Sequence, residues 1–394
     1  MFVPTLSAAV AATTSLSAAI YPLSNSSSLA TSSASSLATS YPIVAGKTYT
    51  AFYNTEVTTT VTVFGGAEVV TSTIATYSLA PTAPAYTFRA DAEDNVAVYW
   101  GQTPNTVAQG LIGLCEQADV DIVLISFLDD FFGGGEGYPK INFGPACYPA
   151  NTAQKEQAPG LLDCSTTLAT QVAGCQTIGK KVLLSLGGYI ANTSFVSDTQ
   201  AIKFAETLWD LFGAGRGSLD LRPFGPDVVI DGFDIDNENH NTSHYDVFAT
   251  ELRKQFAKDT SKTYYLSAAP QCPMPDESIP LAAMKEADFV WVQFYNNPSC
   301  NLNSTGFQAS FKAWSKQLLN AEGKSPQLYI GAPGFAGAGS GYVNGSEFSR
   351  YVKEARKLKV KNFGGVMLWD GSEGMANIDE YGASYLDYAK AAVQ

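Results

Sequence analysis

Eight short apolar runs recur between residue 94 and the C-terminus, and longer segments that suit helices separate them. Continuous apolar runs indicate strands buried on both faces, as in a parallel sheet covered by helices. Eight such units in about 300 residues fit a (β/α)8 barrel better than an open doubly wound sheet. The runs are NVAVYW, VDIVLISFL, KVLLSLGG, DVVIDGFDID, YYLSAAP, FVWVQFY, LYIGAP and GGVMLW. We therefore predict an α/β protein with a (β/α)8 TIM barrel over residues 91–394.

The intervening segments carry a helical pattern. In TQAIKFAETLWDLFG, the spacing of apolar residues predicts one buried face with Ile202, Ala205, Leu208 and Trp209. Most of the strand runs end in polar or aromatic residues. The carboxyl ends of barrel strands are where the active sites of this fold lie, so we expect the functional site there.

The first 90 residues have a different composition. Ser and Thr make up 19 of the first 50 residues, which buries too little apolar surface to offset the entropy of ordering. We predict that residues 1–90 form a flexible, O-glycosylated extension, with a β-hairpin near residues 50–78 where apolar and polar residues alternate around Gly-Gly. The apolar start lacks the positive region of a secretory signal, so a weak signal peptide and a start downstream of the true one both stay open.

Charge and motifs exclude several classes of function. A formal net charge of −13 argues against nucleic acid or an anionic membrane as the main partner, and no run is long enough to span a membrane. Two histidines and the lack of a C-x-x-C pair argue against zinc, and we expect neither a metal nor a cofactor. Neither a phosphate-binding loop nor a serine-hydrolase elbow is present.

Cysteines and glycosylation sequons indicate a secreted protein. The six cysteines are an even number, and sequence alone allows fifteen ways to pair them. Five N-x-[ST] triplets mark candidate glycosylation sites in the same chain. They begin at Asn25, Asn192, Asn241, Asn303 and Asn344. We therefore expect an extracellular location, where disulfides persist.

In the stretch DGFDIDNENH, three acidic residues share one face at the end of a predicted strand. Residues two apart in a strand face the same side, so Asp234, Asp236 and Glu238 should all point into the barrel mouth. Carboxylates packed together share protons, and the pKa of at least one must rise. A carboxyl group that stays protonated near neutral pH suits general-acid cleavage of a glycosidic bond. Asp231 falls on the opposite face, which predicts a structural role.

The same geometry narrows the mechanism. A retaining glycosidase normally places its acid and its nucleophile on opposite sides of the sugar. Carboxylates that share one face of a strand cannot do this, which leaves a 2-acetamido oxygen of the substrate itself as the nucleophile. This hypothesis indicates N-acetylglucosamine polymers as substrates.

These motifs resemble those of a known family. DGFDIDNE is similar to the D-G-x-D-x-D-x-E signature of family 18 glycoside hydrolases, and SLGG is similar to the motif on the family's third strand. AVYWGQ, AAPQCPMPD, WVQFYNNPSC, GSGYV and GGVMLWD resemble the plant and fungal class III (hevamine-like) chitinases. The likeness runs from about Asn95 to the C-terminus.

The resemblance implies a role for each site residue. Glu238 would be the general acid and then the base, while Asp236 orients the acetamido group and Asp234 shares a proton with Asp236. Tyr295 would donate a hydrogen bond to the acetamido carbonyl. The implied substrate-binding residues are Tyr99, Gln102, Gln293, Trp369, Gly188 and Asn142.

Three disulfides are also implied by the resemblance. They would join Cys115 to Cys175, Cys147 to Cys164, and Cys272 to Cys300. The segment between the second pair, YPANTAQKEQAPGLLD, is longer than in the plant proteins and should lie at the rim of the cleft.

The sequence thus predicts a secreted, monomeric endochitinase that acts on chitin or chitooligosaccharides with retention, and the Ser/Thr-rich arm suggests a tether near cell-wall polysaccharide. Two alternatives stay open. One is an inactive chitin-binding lectin or inhibitor on the same fold, and the other is an endo-β-N-acetylglucosaminidase that cleaves N-glycans. The retained Glu238, Asp236 and Tyr295 favour catalysis over the lectin, and the YWGQ and QFYNN stretches favour chitin over N-glycans.

Overall fold

The computed structural model describes residues 60–65, 68–73 and 86–394, with the exception of residues 218 and 322. The chain divides into two units, Met1–Ala85 and Tyr86–Gln394. In the first unit, strand β1 (Thr60–Gly65) pairs antiparallel with strand β2 (Glu68–Thr73). This pair lies inside the segment for which we predict a hairpin. Residues 86–90 of the predicted extension belong instead to the second unit, and the remainder, including Asn25, lies outside the described residues.

The second unit is built on eight parallel strands. Each strand is continuously buried or nearly so, because helices cover its outer face. In chain order the strands of this unit are β3 (Asn95–Trp100), β4 (Ile122–Asp130), the short β5 (Lys140–Ile141), β6 (Lys181–Gly187), β7 (Gly232–Asp236), β8 (Tyr265–Ala268), β9 (Phe289–Gln293), β10 (Gln327–Pro333) and β11 (Phe363–Trp369). Strand β5 is an antiparallel addition to β4 and does not belong to the parallel set.

The parallel strands close into a barrel. Neighbours follow one another in chain order from β3 to β11, and β3 pairs with both β11 and β4, so the described sheet closes on itself. The predicted (β/α)8 barrel is therefore confirmed. Each of the eight predicted apolar runs overlaps one barrel strand.

The start of β7 differs most from the start of its predicted apolar run. The run DVVIDGFDID begins at residue 227, whereas β7 begins at Gly232. The carbonyls of Val228 and Val229 accept hydrogen bonds from the side chains of Arg222, Gln176 and Lys262, so they cannot take part in a strand ladder.

Asp231, directly before β7, is held by several polar contacts at the amino-terminal end of the strand. Its carboxylate accepts hydrogen bonds from Val182 N at 2.9 Å and Gln176 Nε2 at 3.0 Å, and it forms an ion pair with Lys262 at 3.0 Å. These contacts confirm the structural role that the sequence predicts for Asp231.

Helices separate the barrel strands. They are α1 (Asn105–Cys115), α2 (Thr152–Gln157), α3 (Leu168–Thr177), α4 (Asp198–Phe212), α5 (Tyr245–Phe256), α6 (Leu281–Glu286), α7 (Phe307–Leu318), α8 (Gly345–Arg356), α9 (Gly371–Ala376) and α10 (Tyr385–Val393). The predicted face of α4 needs one correction. Ala205, Leu208 and Trp209 are buried, but Ile202 is only half-buried because the buried stripe is centred on Ala201 and Phe204.

The core has two layers. The larger layer fills the space between strands and helices, and a smaller one fills the barrel interior. Phe88, which precedes β3, packs edge-on against Tyr265 and Phe289 at the amino-terminal ends of β8 and β9. The Tyr86 hydroxyl donates to Asp121 at 2.7 Å at the same end. This segment covers the amino-terminal end of the barrel, so the interior opens toward the carboxyl ends of the strands.

All six cysteines are paired. The bridges join Cys115 to Cys175, Cys147 to Cys164, and Cys272 to Cys300, as the family resemblance implies. The long segment inside the second bridge contains helix α2. Asn151 and Gln154 form a reciprocal capping box at its N-terminus, so this part of the segment is folded.

Candidate active site

Asp234 lies inside the barrel and below its mouth. Four donors from four other strands reach its carboxylate, which is completely buried. Tyr99 Oη donates to Oδ2 at 2.9 Å and Ser185 Oγ at 2.7 Å, while Ser267 Oγ donates to Oδ1 at 2.7 Å and Trp291 Nε1 at 2.8 Å. Burial raises the pKa of Asp234, and these hydrogen bonds act in the opposite direction. Asp234 thus faces the barrel interior, as the alternation predicts, but it lies below the mouth.

Asp236 and Glu238 lie closer to the mouth and share a donor. Gln293 Nε2 donates to Asp236 Oδ1 at 3.1 Å and to Glu238 Oε1 at 3.4 Å. Asp236 is the last residue of β7, and Glu238 lies two residues beyond it. Since both carboxylates accept from the same nitrogen, they lie next to each other and face the same space.

The environment keeps protons on this pair. Burial, followed by the negative charges of Glu238 and Asp234, raises the pKa of Asp236 well above its ordinary value. Burial also raises the pKa of Glu238, while the amides of Gln293 and Gln271 act in the opposite direction. The site therefore holds carboxyl protons at a higher pH than free side chains would.

Gln271 is a site residue that the sequence motifs contain but that sequence reasoning did not single out. Its Nε2 donates to Glu238 Oε2 at 3.3 Å, and its Oε1 accepts a hydrogen bond of 2.7 Å from Asn297 Nδ2. Asp276 accepts the Gln271 backbone N–H at 2.8 Å. Asn297 and Asp276 thereby fix the amide of Gln271 so that its donor group points at Glu238. The quoted stretch AAPQCPMPD contained the signal, since Gln271 follows the end of strand β8.

Tyr295 lies beside the acids. It is buried, and it follows β9 by two residues, on the same face as Trp291 and Gln293. Burial, and then the charges of Asp236, Glu238 and Asp234, raise the pKa of Tyr295 well above its ordinary value. The phenol therefore stays a hydrogen-bond donor.

Three aromatic rings form one wall of the mouth. Trp369, at the end of β11, is half-buried and stacks on Phe127 with ring centroids 5.6 Å apart. Tyr99 meets Trp369 edge-on at 5.4 Å. Non-proline cis peptides occur at Ser126–Phe127 and Trp369–Asp370. Phe127 was not among the predicted site residues, although it occupies the end of the apolar run on β4.

The remaining predicted residues have structural contacts. Gln102 Nε2 donates to the carbonyls of Ser126 and Asn142 at 2.8 Å each, which ties the loop after β3 to strand β4 and to the residue that follows β5. The exposed Asn142 accepts the Gly144 N–H at 3.0 Å. Gly188 has a φ of 92°, and a Cβ there would lie 2.9 Å from the Phe127 ring, so glycine lets the wall residue approach. Their predicted contacts with a substrate stay predictions.

The sequons differ in exposure. Asn192, Asn303 and Asn344 are exposed, whereas Asn241 is half-buried. Asn344 also caps helix α8 by accepting the Glu347 N–H at 2.9 Å. Glycosylation at these sites stays a prediction.

Within the described residues, no group of three or more His, Cys, Asp or Glu side chains is placed to hold a metal ion. None of the helices that the structure describes has the length and apolar content needed to cross a bilayer.

Comparisons with known proteins agree with the barrel fold. The sequence model of glycosyl hydrolases family 18 matches residues 95–341. The chain is 43% identical over 318 residues to Chitinase 3 of Candida albicans, covering 79% of this chain and 53% of that protein. It is 40% identical over 312 residues to Endochitinase 3 of Metarhizium robertsii, covering 78% of this chain and 94% of that protein.

A solved structure is similar as well. A chitinase from Ipomoea carnea matches with a TM-score of 0.61 and 31% identity, over 76% of this chain and 99% of that one. The barrel fold, the family match and these relatives define a glycoside hydrolase. It belongs to family 18 of the glycosyl hydrolases, which confirms the resemblance read from its motifs.

Proposed function

We propose that this protein is a secreted endochitinase that cleaves β-1,4 bonds between N-acetylglucosamine units with retention of configuration. One observation carries the proposal: Asp236 and Glu238 accept hydrogen bonds from the same Gln293 amide nitrogen, at 3.1 and 3.4 Å. Two carboxylates on one side of the bound sugar leave the opposite side without a protein nucleophile. The acetamido oxygen of the substrate takes that role.

Glu238 acts first as the acid and then as the base. Its raised pKa supports donation of a proton to the glycosidic oxygen as the bond to the anomeric carbon breaks. The acetamido oxygen closes onto the anomeric carbon to form an oxazolinium ion. The Glu238 carboxylate then removes a proton from a water molecule that attacks the same carbon and opens the ring, so two displacements restore the original configuration.

A second proton moves between Asp236 and Asp234 during the reaction. Asp236 orients the acetamido N–H and, as a carboxylate, balances the positive charge of the oxazolinium ion. For this it passes its proton to Asp234. Three of the four donors on Asp234 are hydroxyls, which can turn and accept a hydrogen bond, so Asp234 can take up a proton and keep its partners.

Tyr295 and Trp369 position the reacting sugar. The buried phenol of Tyr295 donates to the acetamido carbonyl, which steers its oxygen toward the anomeric carbon. The half-buried Trp369 ring supports the apolar face of the sugar. Tyr99 and Gln293 hold the carboxylates, whereas Gln102, Gly188 and Asn142 shape the wall around them.

An extracellular location and a monomeric state complete the proposal. All six cysteines form disulfides, which persist in oxidising compartments. The Ser/Thr-rich arm would keep the enzyme near cell-wall polysaccharide.

The test compares cleavage of chitotetraose by the wild-type protein and by Glu238→Gln. We expect turnover to fall by about 10²–10⁴-fold, since the variant cannot donate a proton. Glu206→Gln, on the exposed side of α4, serves as the matched control and should keep full activity. Proton NMR of the first product should show the β-anomer.

The same assay separates the alternatives. Tight binding of chitotetraose by the wild type without turnover would identify a lectin or inhibitor. Release of glycans from a high-mannose glycoprotein, without cleavage of chitotetraose, would identify an N-glycan endoglycosidase. An α-anomeric first product would contradict substrate assistance.

A further inference from the structure

A cleft lies at the opposite end of the barrel from the acids. Helix α8 ends at Arg356 and strand β11 begins at Phe363, so the connection between them lies at the amino-terminal ends of the strands. The cleft has a volume of about 530 Å³. It is lined by Glu93, Lys353, Arg356, Lys357, Lys359, Val360, Lys361 and Phe363. We call it the basic cleft.

The basic cleft concentrates positive charge on an acidic protein. Five of its eight lining residues are cations and one is an acid, whereas the whole chain has a net charge of −13. None of the five cations forms an ion pair within 4.0 Å with a carboxylate of the described residues. Gathering five like charges without a carboxylate partner opposes folding, so their placement indicates an external anion.

One cation of the basic cleft, Arg356, is held by contacts with neighbouring residues. Arg356 Nη1 donates to the carbonyl of Ala392 at 3.4 Å, and its guanidinium lies 6.0 Å from the centre of the buried Phe363 ring. Lys353, Lys357 and Lys361 are exposed around it. A guanidinium held by these contacts, with exposed ammonium groups beside it, suits a ligand that carries several negative oxyanions.

We propose that the basic cleft binds an anionic polysaccharide segment. Clusters of Lys and Arg within a few residues are typical of heparin-like recognition, and five cations fall within residues 353–361. The cleft has a volume typical of small-ligand pockets. A short segment of charged sugars would contact the cleft alone, whereas a long nucleic acid would also face the acidic remainder of the surface.

The position of the cleft gives this binding a use. It lies at the amino-terminal end of the barrel, and the carboxylates open at the carboxyl end, so both can be occupied at once. The barrel would then bind an anionic polymer in the basic cleft while the carboxylates at its other end act on a neutral polymer.

The test measures binding of two probes by isothermal titration calorimetry at 20 and 150 mM NaCl. A heparin octasaccharide supplies sulfates, and an oligogalacturonate of the same length supplies carboxylates. We expect the triple variant Lys353→Gln, Lys357→Gln, Lys361→Gln to bind at least tenfold more weakly. The slope of log affinity against log salt should fall by about 2, as three ionic contacts are removed.

A matched variant controls for net charge. Lys203, Lys312 and Lys316 are exposed cations on α4 and α7, so changing these three to Gln alters the total charge equally but leaves the cleft intact. Retained binding in this variant supports the proposal. Equal loss in both variants, equal binding of duplex DNA of the same charge, or no binding at 20 mM NaCl would overturn it.

Chitotetraose cleavage keeps this test separate from that of the proposed function. Both triple variants should cleave it at the wild-type rate, because neither touches the carboxylates. A protein without chitinase activity could still bind the anionic probes.

Discussion

Gln271 holds Glu238 through a hydrogen bond of 3.3 Å, and the Asn297 amide fixes the opposite end of the same glutamine at 2.7 Å. Neither Gln271 nor Asn297 belongs to a barrel strand; they lie in the loops after β8 and β9. A proton donor of the proposed reaction is thus oriented by loops as well as by the strand that precedes it.

The first prediction concerns Gln271→Met. The methionine keeps the bulk of the side chain but removes a hydrogen bond that favours the Glu238 carboxylate, so the pKa of Glu238 should rise further. The alkaline limb of the kcat profile against pH should move to higher pH, because the general acid keeps its proton longer. We expect kcat to fall by about tenfold at neutral pH, as loss of one hydrogen bond to a charged group costs about 1.5 kcal/mol.

The control is Gln317→Met on the exposed side of α7, which should leave the pH profile unchanged. A lower kcat with an unmoved alkaline limb in Gln271→Met would mean that Gln271 supports the loop without acting on Glu238.

The second prediction links Asp236 to stability. Its raised pKa means that the folded state holds a proton that the unfolded state releases, so folding is favoured at low pH and loses stability as the pH rises through the folded pKa. Asp236→Asn removes that loss. We expect its unfolding temperature to exceed that of the wild type by roughly 2–4 °C at pH 8, and the difference to vanish near pH 3.

Differential scanning calorimetry at the two pH values measures this effect, and activity should be lost at both. Ser267→Ala removes a partner of the neighbouring Asp234 and should be destabilising at both pH values. A difference for Asp236→Asn that does not depend on pH would contradict the assigned titration.

The third prediction concerns Trp369. Trp369→Ala removes the ring that stacks on Phe127 at 5.6 Å and supports the sugar, so we expect kcat/KM on chitotetraose to fall by about 10²-fold. Trp369→Phe keeps a smaller ring and should recover part of the loss. Steady-state kinetics on both variants measure this, and an equal loss for Phe and Ala would argue against stacking.

The fourth prediction separates two disulfides. Cys272 follows Gln271 directly, and Cys300 lies in the loop that carries Asn297, so their bridge ties together the two loops that orient Glu238. Replacing both cysteines with serine should lower the free energy of unfolding by about 2–5 kcal/mol and also reduce kcat.

Replacing Cys115 and Cys175 is the matched comparison, because that bridge joins α1 to α3 away from the acids. It should lower stability by a similar amount but leave kcat intact well below the unfolding temperature. Urea titration and kinetics on both double variants would decide, and equal kinetic effects would contradict the link to Gln271.

The sequence predicts the barrel well because the signal is local. Most of the buried strands are largely apolar runs, and the run NVAVYW matches β3 residue for residue. Polar contacts from distant parts of the chain are harder to foresee. The apolar Val228 and Val229 look like strand residues, but the side chains that bind their carbonyls come from three other segments.

In the candidate active site, too, local patterns are predicted well and long-range contacts are not. The alternation around β7 indicates that Asp236 and Glu238 face one space, and the shared Gln293 amide agrees with this. That alternation does not give the depth of Asp234, since depth depends on the tilt of neighbouring strands. Gln271 was missed for a related reason: its contact with Glu238 joins residues that are 33 positions apart in the chain.

Phe88 has a consequence for how a polymer can be held. Its ring lies against Tyr265 and Phe289 at the amino-terminal end, next to the side chains that fill the barrel interior, so no channel runs through the barrel. A polysaccharide substrate of the proposed reaction would therefore lie across the carboxyl end of the barrel, with both of its own ends outside the protein. An enzyme of this shape can bind a long polysaccharide at an internal position, so binding does not require a free end of the polymer.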